Sequence, residues 1–198
     1  MDIVQHRKNS IESLISTPSN YGIEVDVRTV NDQLVIHHDP FASGEDFENW
    51  LGHYNHGLLI LNVKEEGLEA RLLKLMESRG ISDFFFLDQS FPFMLKTAKM
   101  GEKRCAVRVS QYESTETAYN LSGLVKWVWL DLFEDFRLEM PCSREELKKL
   151  TSLFKVCLVS PELQGRFDLS EIEFIRKFLH DSDIELSGVC TKLPELWQ

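Results

Sequence analysis

The chain has 198 residues, 43% hydrophobic and 27% charged, which suits one soluble domain with a real core. A formal net charge of -10 and a pI near 5.1 argue against nucleic acid or an anionic membrane as the main partner. A phosphate ligand would need a local cluster of cations or a metal. No apolar run reaches the ~18 residues of a membrane span. The start, MDIVQHRKN, is too short and polar for a signal peptide, so a cytoplasmic location is expected. Four cysteines, Cys105, Cys142, Cys157 and Cys190, form no C-x-x-C pair and read as buried, reduced thiols.

In chain order, Asp2 to Arg7 reads as a short strand ending in the basic pair His6-Arg7, and Asn9 to Ser16 as one or two helical turns. Pro18-Ser19-Asn20 breaks that helix. In Ile23-Glu24-Val25-Asp26-Val27 apolar and acidic residues alternate, so Glu24 and Asp26 share one strand face. A second apolar run, Leu34-Val35-Ile36, ends in His37-His38-Asp39. Residues 41–57 read as a loop with a weak helical pattern in its middle. Leu58 to Val63 is a nearly continuous aliphatic run, as in a parallel strand covered on both faces. Leu68 to Arg79 carries a helix-period stripe with Gly80 as its stop.

The alternation continues with a strand over Asp83 to Asp88, a helix over Phe93 to Met100 and a strand over Arg104 to Ser110. Thr115 to Leu121 is a short helix candidate, and Lys126 to Asp131 a strand. Ser143 to Phe154 is a helix with capping-box spacing from Ser143 to Glu146. Lys155 to Ser160, Asp168 to Leu179 and Ile184 to Thr191 read as strand, helix and strand. Eight strands alternating with helices imply a compact, parallel, eight-stranded (β/α)8 TIM barrel of the α/β class, as one domain over 1–198. An open doubly wound sheet is the alternative. Trp127 and Trp129, on one strand face, read as core, with a shared substrate platform as the alternative.

In a barrel, active-site residues come from the C-terminal strand ends. Those ends offer His6 and Arg7, Glu24 and Asp26, His38 and Asp39, Asn62 and Lys64, then Asp88, Arg108, Asp131 and Ser160. The set suggests chemistry at a phosphodiester. Glu24 and Asp26 are hard oxygen ligands suited to Mg²⁺ or Ca²⁺. Arg7 and Lys64 add fixed positive charge for the phosphate. His6 and His38 can divide acid and base work, because both titrate near neutrality. His37 has the opposite strand parity and reads as a packing or surface residue. Asp39 reads as a loop anchor or a partner that orients an imidazole.

His6-Arg7, Glu24-x-Asp26 and His38-Asp39 together resemble the glycerophosphodiester phosphodiesterase family, a (β/α)8 group within the phospholipase C-like phosphodiesterases. The resemblance implies catalysis by His6 and His38 and a divalent metal on Glu24 and Asp26. Asn62, two residues before Lys64, stands where the family usually has the third ligand, a carboxylate. Lys8 stands where the family usually has glycine, followed by Asn9. The expected activity is metal-dependent hydrolysis of a glycerophosphodiester-like small molecule, with Asn9, Asp39, Asp88, Arg108 and Asp131 in support. The alternatives are a phosphate-binding or regulatory barrel without turnover, and a lyase or isomerase acting on a phosphorylated sugar.

Overall fold

A computed structural model describes residues 1–198. The chain divides into two compact units: Val4–Cys105, and Ala106–Gln198 together with Met1–Ile3.

The first unit contains the end of β1 (Asp2–Gln5), α1 (Ile11–Ile15), β2 (Gly22–Val30), β3 (Gln33–Ile36), β4 (Glu45–Asp46), α2 (Phe47–Leu51), β5 (Leu59–Val63), α3 (Glu69–Ser78), β6 (Phe84–Leu87) and α4 (Phe91–Lys99). β1, β2, β5 and β6 pair in parallel, in that order. β5 is buried along its whole length, as a strand covered on both faces requires. Burial of each of its aliphatic side chains contributes about 1.5–3 kcal/mol. The register sets Asp26 beside Asn62 and Val27 beside Val63. Gly22 permits the close approach of neighbouring strands: a Cβ there would lie 2.6 Å from the Leu58 carbonyl oxygen and 2.8 Å from a Val4 methyl.

β2 runs beyond its acidic pair and turns at Asn31 and Asp32, whose φ angles are 50° and 64°. Two left-handed residues make the hairpin turn that suits the strand twist. β3 then returns antiparallel on β2, and β4 antiparallel on β3. α3 ends as its sequence indicates: Gly80 has φ 67°, and Ile81 N–H donates to the Met76 carbonyl at 2.9 Å.

The second unit contains β7 (Ala106–Val109), α5 (Thr115–Asn120), β8 (Trp127–Leu130), α6 (Arg144–Leu153), β9 (Lys155–Val159), α7 (Leu169–Asp181) and β10 (Gly188–Thr191). β7, β8, β9 and β10 pair in parallel, and Asp2 N–H donates to the Ser187 carbonyl at 2.8 Å. The Ser143–Glu146 capping box forms. Trp127 and Trp129 are buried. All four cysteines are buried, free thiols; burial raises Cys105 and Cys142 to about 12.

The α/β class and the eight expected strands hold: they are the eight parallel ones. Three details differ. β3 and β4 are additional and antiparallel. The last strand begins at Gly188, because Asp183 is left-handed and Ile184 N–H closes α7 onto the Leu179 carbonyl. The closed ladder of a complete barrel is not formed. β6 pairs with β5 on one side and makes only an isolated bridge, Phe86 to Cys105, on the other. Its strand is four residues long, and β7 begins only at Ala106. No helix is long and apolar enough to cross a membrane.

Candidate active site

The site in the first unit is built on the face of β2 that carries Glu24 and Asp26. Both are fully buried. Two carboxylates without water demand compensation, and the neighbouring segments supply part of it. Just past β1, Arg7 adopts φ 52°, a left-handed conformation that costs a non-glycine residue about 1–3 kcal/mol. That twist aims Arg7 N–H at Glu24 Oε2, 2.7 Å away, and Lys8 N–H donates to the Glu24 carbonyl at 3.0 Å. His6 Nε2 lies 3.8 Å from the same carboxylate oxygen. Asn62, one strand over, donates Nδ2 to Glu24 Oε1 at 2.8 Å.

Asp26 is held from three directions. Asn9 clamps it, donating Nδ2 to Oδ2 at 2.7 Å and accepting the Asp26 N–H on Oδ1 at 3.1 Å. The Arg7 Nε lies 3.6 Å from Oδ2. Lys64 Nζ lies 3.2 Å from Oδ1 and 3.3 Å from Asp88 Oδ2. His6, Arg7, Asn9, Glu24, Asp26, Asn62, Lys64 and Asp88 thus form one connected cluster.

Electrostatically, the two carboxylates differ in their surroundings. Burial, with Asp26 adding repulsion, raises Glu24 from the usual 4.5 to about 7, against the opposing effects of the Asn62 and Arg7 hydrogen bonds and Lys64. Its negative charge is under-compensated.

His38 and Asp39 follow β3. His38 Nδ1 is 2.8 Å from Asp39 Oδ1, and this bond lowers the Asp39 pKa. A carboxylate can only accept, so the proton sits on Nδ1 and leaves Nε2 as the atom that exchanges protons. His37 serves the loop instead, with its Nδ1 accepting the Asp39 N–H at 3.0 Å. Arg108 and Asp131 belong to the second unit, where they pair at 3.4 Å; Gln164 donates to Asp131 Oδ1 at 2.6 Å. Ser160, also there, is fully buried and donates to Glu162, so it acts in packing.

Two contributors escaped the motif reading. Trp50 Nε1–H donates to the Lys8 carbonyl at 3.0 Å and holds the loop after β1. Arg28 donates to the carbonyls of His38 and Lys64. Strand parity carried a signal for Arg28, since it shares a face with Glu24 and Asp26. Nothing in the local sequence pointed Trp50 to Lys8.

The donor set can be tested against a hard divalent cation. Glu24 and Asp26 supply buried carboxylate oxygens, and Asn62 Oδ1 is buried with no hydrogen-bond partner. All are oxygen ligands of the type Mg²⁺ and Ca²⁺ prefer. The raised pKa of Glu24 marks a place where added positive charge is favourable. The residues fit such an ion. The set has fewer negative charges than three carboxylates would bring, and no group of three His, Cys, Asp or Glu side chains forms a metal cluster.

No protein-family model and no curated protein matches the sequence. Among the solved structures similar in fold are two phosphodiesterases. A glycerophosphodiester phosphodiesterase from Agrobacterium tumefaciens superposes with a TM-score of 0.68 at 14% identity, over 100% of this chain and 97% of that one. A glycerophosphoryl diester phosphodiesterase from Parabacteroides distasonis gives 0.64 at 12% identity, over 98% of this chain and 84% of that one. The resemblance carried by the three motifs is therefore matched by a likeness of fold along nearly the whole chain.

Proposed function

We propose that the chain is a phosphoric diester hydrolase of the glycerophosphodiester phosphodiesterase kind, acting in the cytoplasm on a small, soluble or lipid-headgroup-like phosphodiester. The observation that carries this reading is the buried Glu24–Asp26 pair, ringed by His6, Arg7, Asn62 and Lys64. The likeness of fold to two enzymes of that description supports it.

Glu24, Asp26 and Asn62 Oδ1 are the residues that would hold a Mg²⁺ or Ca²⁺ ion, which when bound supplies Lewis-acid polarisation of a phosphoryl oxygen. The side chains of Arg7 and Lys64 offset the negative charge that grows on the phosphoryl oxygens in the transition state. Asn9 and the Arg7 main chain fix the two carboxylates in place. His6 and His38 divide the proton transfers: one accepts a proton from the attacking water or a neighbouring substrate hydroxyl, and the other donates one to the departing alkoxide. Asp39 keeps His38 in the tautomer whose Nε2 does this work.

A second reading, a phosphate-binding barrel without turnover, draws support from Asn62 at a position where the resemblance implies a carboxylate, and from Lys64 beside Asp26. A panel of phosphodiesters, assayed with Mg²⁺ or Ca²⁺ and again with EDTA, separates the two. Metal-stimulated release of a monoester product is the result expected of the hydrolase. Binding of phosphate to folded protein, with no cleavage of any diester, would favour the second reading.

A further inference from the structure

Glu24, Asp26 and Arg28 lie on one face of β2. Arg28 is half-buried. Its Nε and one terminal nitrogen donate to the His38 carbonyl at 3.0 Å and 2.9 Å. The other terminal nitrogen donates to the Lys64 carbonyl at 3.3 Å.

Topology explains the reach. β2 lies between antiparallel β3, with Arg28 opposite Val35, and parallel β5, with Val27 beside Val63. His38 lies two residues past the end of β3, and Lys64 one residue past β5. Both carbonyls therefore leave strands that flank Arg28. A guanidinium is planar, permanently charged and presents its donors as a rigid fork, so it can tie two carbonyls at once. A lysine ammonium is a single point and cannot hold the same spread.

We propose that Arg28 is a positioning residue: it fixes the main chain of the His38 loop against Lys64, and so sets where the His38 imidazole meets the substrate. The inference rests on the reading of His38 as an acid–base group. The three side-chain hydrogen bonds of Arg28 end on main-chain carbonyls and not on the carboxylate pair. Its effect passes through His38, which receives two of its three hydrogen bonds, so it belongs to the chemical step more than to substrate binding. A displacement of about 1 Å at a catalytic group costs on the order of 10²-fold in rate.

The test uses the full chain with Arg28→Met and Arg28→Lys, in the wild-type and His38→Ala backgrounds, assayed on a glycerophosphodiester with the supporting metal. Arg28→Met is expected to lower kcat by roughly 30- to 100-fold with KM changed less than about threefold, and Arg28→Lys to fall between. In the His38→Ala background the Arg28 substitutions should cost almost nothing further. Wild-type kcat in Arg28→Met, or an equal loss without His38, would overturn the proposal.

Histidine side-chain NMR supplies a readout that does not depend on turnover. Arg28→Met should move the His38 signals, assigned with His38→Gln, and leave those of His53 and His180 unchanged. If the wild type cleaves no diester, the phosphodiesterase reading fails while this spectrum still decides on positioning. Unmoved His38 signals would overturn it.

Discussion

Asn62 donates its amide to Glu24 Oε1 at 2.8 Å, while its own Oδ1 is buried without a hydrogen-bond partner. The residue thus satisfies a carboxylate with one atom and leaves an oxygen unspent beside it. An unpaired buried acceptor costs about 1–3 kcal/mol, which a bound cation would recover. Asn62→Asp should add a negative charge and raise Mg²⁺ or Ca²⁺ affinity by roughly tenfold or more, whereas Asn62→Leu should weaken it by roughly 10- to 100-fold. Isothermal titration of each variant with the metal alone checks both directions.

Glu24 makes stability depend on pH in the metal-free protein. Its folded pKa is raised from 4.5 to about 7, so the folded state binds this proton more tightly than the unfolded state. For this group the folded state gains at low pH, and stability falls as pH rises from 4.5 through about 7. In EDTA, Glu24→Gln should melt higher than wild type at pH values above about 7, and the difference should shrink toward acid pH. Each kcal/mol corresponds to roughly 2–4 °C in a chain of this size. Thermal melts of both proteins across this range test the sign.

Lys64 spans Asp26 and Asp88 at 3.2 Å and 3.3 Å. Lys64→Met removes the cation from two carboxylates and, on the proposed function, from the substrate phosphate as well. Turnover should fall by about 10²-fold or more, as when a transition-state charge stabiliser is removed. Steady-state kinetics, with circular dichroism to confirm folding, checks this.

Gly22 has no room for a side chain, because a Cβ would meet the Leu58 carbonyl at 2.6 Å. Gly22→Ala should destabilise the chain by about 1–3 kcal/mol, the cost of overpacking. Urea denaturation would register it as a lower midpoint. Since Glu24 and Asp26 lie on the same strand, metal affinity should fall with it.

The parts of this fold that were legible in the sequence depend on local periodicity. The aliphatic run of β5 and the Gly80 stop of α3 both appear where the pattern puts them. The Ser143–Glu146 capping box does as well. Asn31-Asp32 was the missed signal for the β2–β3 hairpin, because two non-glycine residues had to adopt positive φ. The two-residue strand β4 is too short to leave a pattern. At the site, alternation gave the shared face of Glu24 and Asp26, and the motif set indicated His6, Arg7 and Lys64. What the sequence left unread is long-range pairing. The Asn9 clamp on Asp26 spans 17 residues and the Trp50 bond to Lys8 spans 42, and neither distance is written in any local pattern.

The most direct measurement is hydrolysis of a glycerophosphodiester by wild type and His6→Ala, each with Mg²⁺ or Ca²⁺ and each with EDTA. Metal-dependent turnover in the wild type, lost with EDTA and reduced by orders of magnitude in His6→Ala, is the expected result. Turnover that survives complete chelation, or persists unchanged in His6→Ala, would contradict the assignment of this cluster as a metal-dependent, histidine-assisted phosphodiesterase site.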